Sequence, residues 1–256
     1  YFEMKNILKE FILSLLHSVR WVIKKLYIHI IPSDIVRTKK HEINCYDLYH
    51  EEELKKCFEH FKKYYLKAVH LSGDDILNYA IHRAIKNNDG LYLEFGVWEG
   101  RTINIFSRHL KNKKIFGFDT FKGINEDWAG TDKAKGFYSA NNKMPKVNDN
   151  CILIKGLIQD TLPEFLIENS LKYKDTKIAF VHMDVNTYES SKFILELIKP
   201  RLHENAIILL RGCHNYPGWS VGEYKALQET FSSKEYKFLA FSMDGSPAVI
   251  QFLKTL

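Results

Sequence analysis

The sequence predicts an α/β protein with one seven-stranded, mostly parallel sheet that ends in an antiparallel hairpin. After Gly90, short apolar runs alternate with segments of helical periodicity, an order that gives parallel strands covered by helices. The last two apolar runs are separated only by turn residues at 244–247, so they predict a hairpin. The chain has 256 residues, 45% of them hydrophobic, which suits one compact domain with an appendage and excludes wholesale disorder.

Seven apolar runs have the length and composition of strands. They are residues 91–97, 114–119, 151–157, 178–184, 206–211, 237–243 and 248–253. Four of these runs are followed by segments with a helical pattern. The helical segments are residues 102–110, 162–169, 190–198 and 221–231. Two further helices are predicted before the sheet, at 47–69, where acidic residues precede basic ones, and at 73–86, after the capping sequence that starts at Ser72.

Residues 5–31 carry an amphipathic helical pattern with a heptad seam. The seam residues are Leu8, Ile12, Leu15, Val19, Val22 and Leu26. Arg20, Lys24 and Lys25 interrupt the apolar run, so it does not predict a transmembrane span. Three interpretations stay open: packing on its own domain or on a second subunit of a homo-oligomer, peripheral contact with an anionic membrane, or binding to a partner protein. We therefore expect an N-terminal helical appendage at 1–71 and a second domain at 72–256.

The net charge of +6 is concentrated at the start of the chain. Residues 1–40 contain eight basic and three acidic residues, a charge of +5, and the other 216 residues carry +1. The body of the protein is thus nearly neutral, and we expect no nucleic-acid partner.

Four scattered cysteines include no C-x-x-C pair, which argues against a disulfide scaffold and a zinc knuckle. Reduced thiols of this kind predict a cytoplasmic protein, with membrane association only if residues 5–31 bind a lipid surface.

The first strand–loop–helix segment has the features of a nucleoside site. Gly96 and Gly100 lie where the strand turns into a helix, and Asp119 ends the second strand, 19 residues after Gly100. A carboxylate there can accept both hydroxyls of a ribose. The loop lacks the G-x-G-x-x-G pattern that cradles a pyrophosphate, which favours S-adenosylmethionine, a nucleoside without phosphate. Glycines in such a turn can also be present only for steric reasons, because the backbone turns sharply there. Asp119 and the strand order favour a ligand-binding role for them.

Five motifs in this order resemble class I S-adenosylmethionine-dependent methyltransferases and, more narrowly, the macrocin O-methyltransferase-like family. They are LEFGVWEG at 93–100, GFDTFKG at 117–123, DTLP at 160–163, HMDVNTY at 182–188 and NYPGW at 215–219. The resemblance covers residues 91–253 and implies a Rossmann-like methyltransferase sheet. It also implies methyl transfer to a hydroxyl of a small acceptor, such as a sugar or a secondary metabolite.

The resemblance also assigns cofactor-binding residues in four segments. They are Glu94, Phe95, Gly96, Trp98, Gly100 and Thr102 in the first loop, Asp119, Thr120 and Phe121 after the second strand, Gly156, Leu157 and Ile158 after the third, and Asp184 after the fourth. By this assignment the first loop lines the methionine end, Asp119 holds the ribose, and the third segment flanks the adenine.

The catalytic end departs from the family pattern. Candidate catalytic residues are Asp184, His182, Arg211 and His214. The family usually has a second acid where this chain has Asn186 and a pair of magnesium-binding acids where it has Arg211 and Gly212, so Mg²⁺ is a doubtful cofactor.

Three explanations of Arg211 stay open. It could replace the metal by stabilising a developing alkoxide or by binding an anionic group of the substrate, or the protein could be a non-catalytic cofactor-binding protein on a degenerate fold. It could also simply pair with Asp184, which would lower the pKa of that carboxylate. Each of the two histidines has a structural alternative to its role as a base. The long polar segment at 125–149 is interpreted as a lid, and the turn at 216–219 as a wall of the acceptor pocket.

Overall fold

The computed structural model describes residues 44–87, 89–110, 112–172 and 177–253. The described residues from Tyr46 onward belong to one compact unit. The helix predicted at 5–31, and with it the membrane, subunit and partner interpretations, lies outside the described residues. Within these ranges, no helix is long and apolar enough to cross a bilayer.

The described residues form eight strands and six α-helices. In chain order they are α1 (Cys45–Tyr65), β1 (Val69–Leu71), α2 (Asp75–Asn87), β2 (Leu91–Phe95), α3 (Arg101–His109), β3 (Ile115–Asp119), β4 (Cys151–Lys155), α4 (Ile158–Lys172), β5 (Ile178–Met183), α5 (Tyr188–Ile198), a short 3₁₀ helix (Lys199–Arg201), β6 (Leu202–Leu210), α6 (Glu223–Thr230), β7 (Tyr236–Ser242) and β8 (Ala248–Phe252).

The eight strands form one sheet in the order β1-β7-β8-β6-β5-β2-β3-β4. Strand β8 runs antiparallel to both of its neighbours, and the other pairs are parallel. The predicted α/β class, the mostly parallel sheet and the terminal hairpin are confirmed.

The predicted strand count of seven is wrong by one, because β1 was missed. It has three residues, too few to show a period in the sequence, and only its parallel pairing with β7 reveals it. The β7–β8 hairpin therefore lies inside the sheet, with β1 at its edge.

The central strands are buried along their whole length because helices cover both faces of the sheet. Every residue of β2, β5 and β8 is buried. Helix α1 packs on one face through Phe61, which is fully buried and lies 4.8 Å from Tyr224 and 5.7 Å from Phe241 between ring centroids. The division of the chain at residues 71 and 72 stays a prediction.

The direction of the crossovers reverses between β2 and β5, which lie side by side at the centre of the sheet. From β2 the chain continues outward through β3 and β4, and then returns to β5 and β6 on the other side. Open α/β sheets bind ligands at such a switch point, outside the carboxyl ends of the strands.

Candidate functional site

A cavity of about 550 Å³ lies at the carboxyl ends of β2, β3, β5 and β6. Eight of the sequence-predicted site residues line it: Gly96, Trp98, Thr102, Asp119, Thr120, Ile158, Asp184 and Arg211. The structure therefore brings residues from all four predicted segments, together with one catalytic candidate after β6, to a single space. The other predicted residues are outside its lining: Glu94, Phe95, Gly100, Phe121, Gly156, Leu157, His182 and His214.

The loop between β2 and α3 turns at Gly96, directly against the end of β5. Gly96 has φ +87°, and a Cβ at this position would lie 2.1 Å from the carbonyl oxygen of Asp184. The amide of Asp184 in turn donates to the carbonyl of Phe95 at 2.8 Å. Only glycine permits both this conformation and this approach, so Gly96 sets the distance between the predicted cofactor loop and Asp184.

Asp119 fixes the conformation of that loop. Its Oδ2 accepts hydrogen bonds from the amides of Val97 and Trp98, and its Oδ1 accepts one from Phe121, all at 2.7 Å. Trp98 and Phe121 both have positive φ, +49° and +58°, which is rare for large side chains. A carboxylate has about four acceptor positions, so about one is left, on Oδ1. The structure thus leaves room for one ligand hydroxyl on Asp119 rather than the expected two.

Glu94 and His182 lie side by side beneath the cavity, both fully buried. Glu94 accepts a hydrogen bond from Thr102 at 2.7 Å, and its other oxygen lies 3.4 Å from Nδ1 of His182. Burial raises the pKa of Glu94 to about 8 and lowers the pKa of His182 to about 3. Both groups are therefore neutral near pH 7. Because His182 is sealed from the cavity, the structure gives no support to its predicted role as a base.

Asp184 and Arg211 form an ion pair in the cavity wall, with 3.3 Å between Oδ2 and Nε. The pairing is one of the expected alternatives, and Arg211 acts on the pKa of Asp184 in the expected, lowering direction, but the net shift is opposite. Burial raises the pKa of Asp184, and the opposing effect of the Arg211 charge is smaller, so the net direction is upward. A carboxylate with a raised pKa that still faces a cavity is a stronger base than an ordinary aspartate.

His214 lies outside the cavity lining, with both ring nitrogens bonded. Its Nε2 is 3.1 Å from the carbonyl of Pro247, which can only accept, so Nε2 carries the proton and donates. Its Nδ1 then accepts from the hydroxyl of Tyr65 at 3.0 Å. Burial lowers the pKa of His214 to about 4. This neutral histidine joins α1 to the β7–β8 turn, so the structure favours the structural alternative over the role of a base.

Glu223, the first residue of α6, is an acid near this end of the site that the sequence reasoning missed. It is fully buried, and its Oε2 accepts from the amide of Gly212 at 2.7 Å. Burial raises its pKa to about 8. The one signal in the sequence is a carboxylate in the first turn of the helix predicted at 221–231, which is too common to identify a site.

The residues do not suit a divalent cation. The part of the chain that the structure describes contains no group of three or more histidines, cysteines, aspartates or glutamates that could hold a metal ion. Asp184 already faces a guanidinium, whereas Mg²⁺ prefers several carboxylate and water oxygens. The donor set therefore supports no metal-dependent step.

Residues 125–149, which we name the strap, contribute Asn125, Trp128 and Tyr138 to the cavity lining and contact the rest of the protein at several points. At one end, Asn148 donates its amide to Oδ1 of Asn104 on α3 at 2.8 Å. At the other, the backbone of Gly130 touches that of Gly218, and Trp128 packs edge-on against Tyr216 at 5.7 Å. Trp128 lines the cavity while Tyr216 supports it from behind, so the turn at 216–219 contributes to the wall indirectly. Lid motion of the strap stays a prediction.

The chain resembles known methyltransferases in sequence and in fold. Residues 93–215 match the sequence model of a family described as a methyltransferase domain. No curated protein matches the chain significantly. CalS11, a calicheamicin methyltransferase of known crystal structure, shares 20% sequence identity with this chain. The two structures superpose with a TM-score of 0.55, and the match covers 92% of this chain and 91% of CalS11.

Two further solved structures show the same fold. One is the apo structure of CalS11, described as a TDP-rhamnose 3'-O-methyltransferase of calicheamicin biosynthesis. Its sequence identity to this chain is 19% and its TM-score is 0.50, and the match covers 92% of this chain and 93% of that one. The O-methyltransferase NovP is 17% identical with a TM-score of 0.53, covering 70% and 79%. The sequence match supports a methyltransferase domain, and the structural matches show a Rossmann-like methyltransferase fold.

Proposed function

We propose that this protein transfers the methyl group of S-adenosylmethionine to a hydroxyl of a small acceptor. The observation that supports this most strongly is a single cavity that joins the loop held by Asp119 to the Asp184–Arg211 pair. The first feature suits a nucleoside, and the second suits proton removal beside it. We also propose that the protein belongs to the macrocin O-methyltransferase-like family, that its acceptor is a sugar or a secondary metabolite, and that it is a cytoplasmic homo-oligomer.

The residues of the cavity fit the chemistry of the cofactor. The remaining acceptor position on Oδ1 of Asp119 suits one ribose hydroxyl, and Ile158 provides an apolar surface for the adenine. Four aspartates and two arginines are the charged residues among the described cavity lining, an excess of negative charge that favours a cation. When bound there, S-adenosylmethionine supplies an activated methyl group on a positively charged sulfur.

Asp184 is the residue we assign to proton removal. Its raised pKa makes it a better proton acceptor than an ordinary carboxylate, and it stands in the cavity wall. Arg211 holds the carboxylate in place and adds fixed positive charge, which stabilises an acceptor oxygen as it loses its proton. The chain thus has a base and a cation where the family pattern has metal ligands.

Calorimetry tests the cofactor, with S-adenosylmethionine and S-adenosylhomocysteine as ligands. We expect binding of both; no heat from either at millimolar concentration would refute the proposed function. In a methyl-transfer assay, Asp184→Asn should lower kcat by about 10²–10⁴, the usual contribution of a general base, while cofactor binding persists.

The alternative of a non-catalytic binding protein predicts a different result. It predicts cofactor binding without transfer in the natural chain, and transfer only when acids replace both Arg211 and Gly212 and magnesium is added. Under our proposal the doubly substituted protein is less active than the natural one, because Arg211 is lost and the added carboxylates lie beside Asp184 and the buried Glu223.

A further inference from the structure

Two aromatic side chains face each other in the wall of the cavity. Trp98 lies in the β2–α3 loop and Tyr138 in the strap, and both line the cavity. Their ring centroids are 5.4 Å apart with an interplanar angle of 74°, an edge-to-face arrangement. We name them the aromatic pair. Trp98 remains 41% exposed, so a large apolar surface is open to a ligand.

Both members of the pair have a backbone conformation that disfavours their side chains. Trp98 has φ +49° and Tyr138 has φ +62°, in the left-handed region where glycine is the usual residue. Large residues in this region are strained and cluster at functional sites. The indole of Trp98 adds little to the core because it is 41% exposed, so folding alone does not account for it.

The part of Trp98 that contacts Asp119 is its backbone. The amide of Trp98 donates to Oδ2 of Asp119, which any residue at this position would do. Only the indole distinguishes tryptophan from glycine here, and the indole lies against Tyr138. The two roles can therefore be separated by substitution.

The aromatic pair lies near the groups assigned to the reaction. The charges of Asp184 and Arg211 both act on the hydroxyl of Tyr138, whose pKa is raised mainly by burial. Amide and hydroxyl side chains line the same cavity: Asn125, Gln159, Asn186 and Ser190. Aromatic rings beside several neutral hydrogen-bonding groups suit a molecule with an apolar ring face and several hydroxyls, which is the chemistry of a sugar ring.

The charges of the cavity oppose a phosphate-bearing sugar. Among the described lining residues the cations are Arg101 and Arg211, and each is already paired with a carboxylate, Asp74 and Asp184 respectively. A diphosphate would bring negative charge close to these acids, and the described lining offers no free guanidinium to receive it. An uncharged glycoside meets no such cost.

We propose that the aromatic pair, Trp98 and Tyr138, binds the sugar ring of an uncharged glycoside acceptor, with discrimination against nucleotide sugars. This proposal rests on the proposed function, because it places the acceptor beside the residues assigned to methyl transfer. It reassigns the indole of Trp98 from the cofactor, to which the family resemblance gave it, to the acceptor.

The test uses two probes that share one sugar, methyl α-rhamnopyranoside and TDP-rhamnose. Each is titrated by ligand-observed NMR into the full chain saturated with S-adenosylhomocysteine, and the cofactor product is titrated separately by calorimetry. The variants are Trp98→Gly and Tyr138→Gly, which remove a ring and relieve the positive φ. Asn142→Gly is the matched control, because Asn142 also has positive φ, +60°, but is exposed and outside the cavity lining.

We expect the glycoside to bind more tightly than TDP-rhamnose. Each ring-deleting variant should raise the Kd for the glycoside roughly tenfold, the effect of losing one aromatic contact, and Asn142→Gly should not change it. The Kd for S-adenosylhomocysteine should stay within about twofold of the natural protein in all three variants. Unfolding temperatures equal to or above that of the natural protein would show that the variants fold.

Four results would overturn the proposal: no glycoside binding at millimolar concentration, tighter binding of TDP-rhamnose, unchanged glycoside binding in Trp98→Gly, or a loss of cofactor-product affinity equal to the loss for glycoside. If the natural protein binds no cofactor product, the proposed function fails. The glycoside titration without cofactor product then still decides whether the aromatic pair is a sugar site.

Discussion

Replacing Asp119 by alanine should destabilise the protein even without cofactor. The carboxylate accepts three backbone hydrogen bonds at 2.7 Å, from Val97, Trp98 and Phe121. A hydrogen bond to a charged group contributes about 1.5–3 kcal/mol, but Trp98 is partly exposed and water can replace some of the lost bonds. We therefore expect a loss of about 2–4 kcal/mol in the free energy of unfolding, less than the simple sum.

Thermal unfolding of the cofactor-free protein measures this effect. For a chain of this size, about 2–4 kcal/mol corresponds to a decrease of roughly 5–15 °C in Tm. Asp149→Ala, at an exposed aspartate, is the control and should leave Tm unchanged. If Asp119 served only to bind ribose, Asp119→Ala would weaken cofactor binding and leave the Tm of the cofactor-free protein unchanged. That result would refute the reasoning that Asp119 holds the loop.

Two further predictions concern stability. Gly96→Ala should lower the free energy of unfolding by more than about 3 kcal/mol, because the added Cβ would collide with the carbonyl of Asp184. Gly136→Ala is the control: Gly136 has φ +86° and no atom within 4 Å of an added Cβ, so the loss should be only about 1–2 kcal/mol of backbone strain. Equal losses in denaturant unfolding would contradict this. Glu94 and Glu223 have pKa values of about 8 in the folded protein but about 4.5 in the unfolded chain, so Tm should fall as the pH rises from 6.5 to 8. Glu223→Gln should reduce that fall by about half. A Tm that does not change with pH in the natural protein would refute this prediction. Below pH 6.5 the lowered pKa values of the buried histidines oppose this trend.

The positions of the main elements could be predicted because their signals are local. Strand β2 is a short apolar run before a glycine loop, and the hairpin of β7 and β8 is interrupted only by turn residues. Strand β1 could not be predicted, because three residues carry no period and its identity depends on pairing with β7. The pattern therefore identified each strand that was long enough to show a period.

The candidate site was predictable at the level of segments but not of individual roles. Gly96, Asp119 and Asp184 were identified because the ends of parallel strands meet at one edge of a sheet. The burial of His182 and the hydrogen bonds of His214 depend on residues far away in the sequence, so no local pattern could distinguish a base from a structural histidine.

By itself, the sequence determined the α/β class, the order of the elements and the segments that meet at the cavity, because apolar periodicity and turn residues act over a few neighbouring positions. Only the tertiary structure decided the protonation of Glu94, the number of ligand hydroxyls left to Asp119 and the direction of the pKa shift of Asp184. These properties depend on burial and on distances between groups from separate strands. The number of free hydrogen-bond acceptor positions and the electrostatic interaction energies depend on that three-dimensional arrangement, which the spacing of residues along the sequence does not specify.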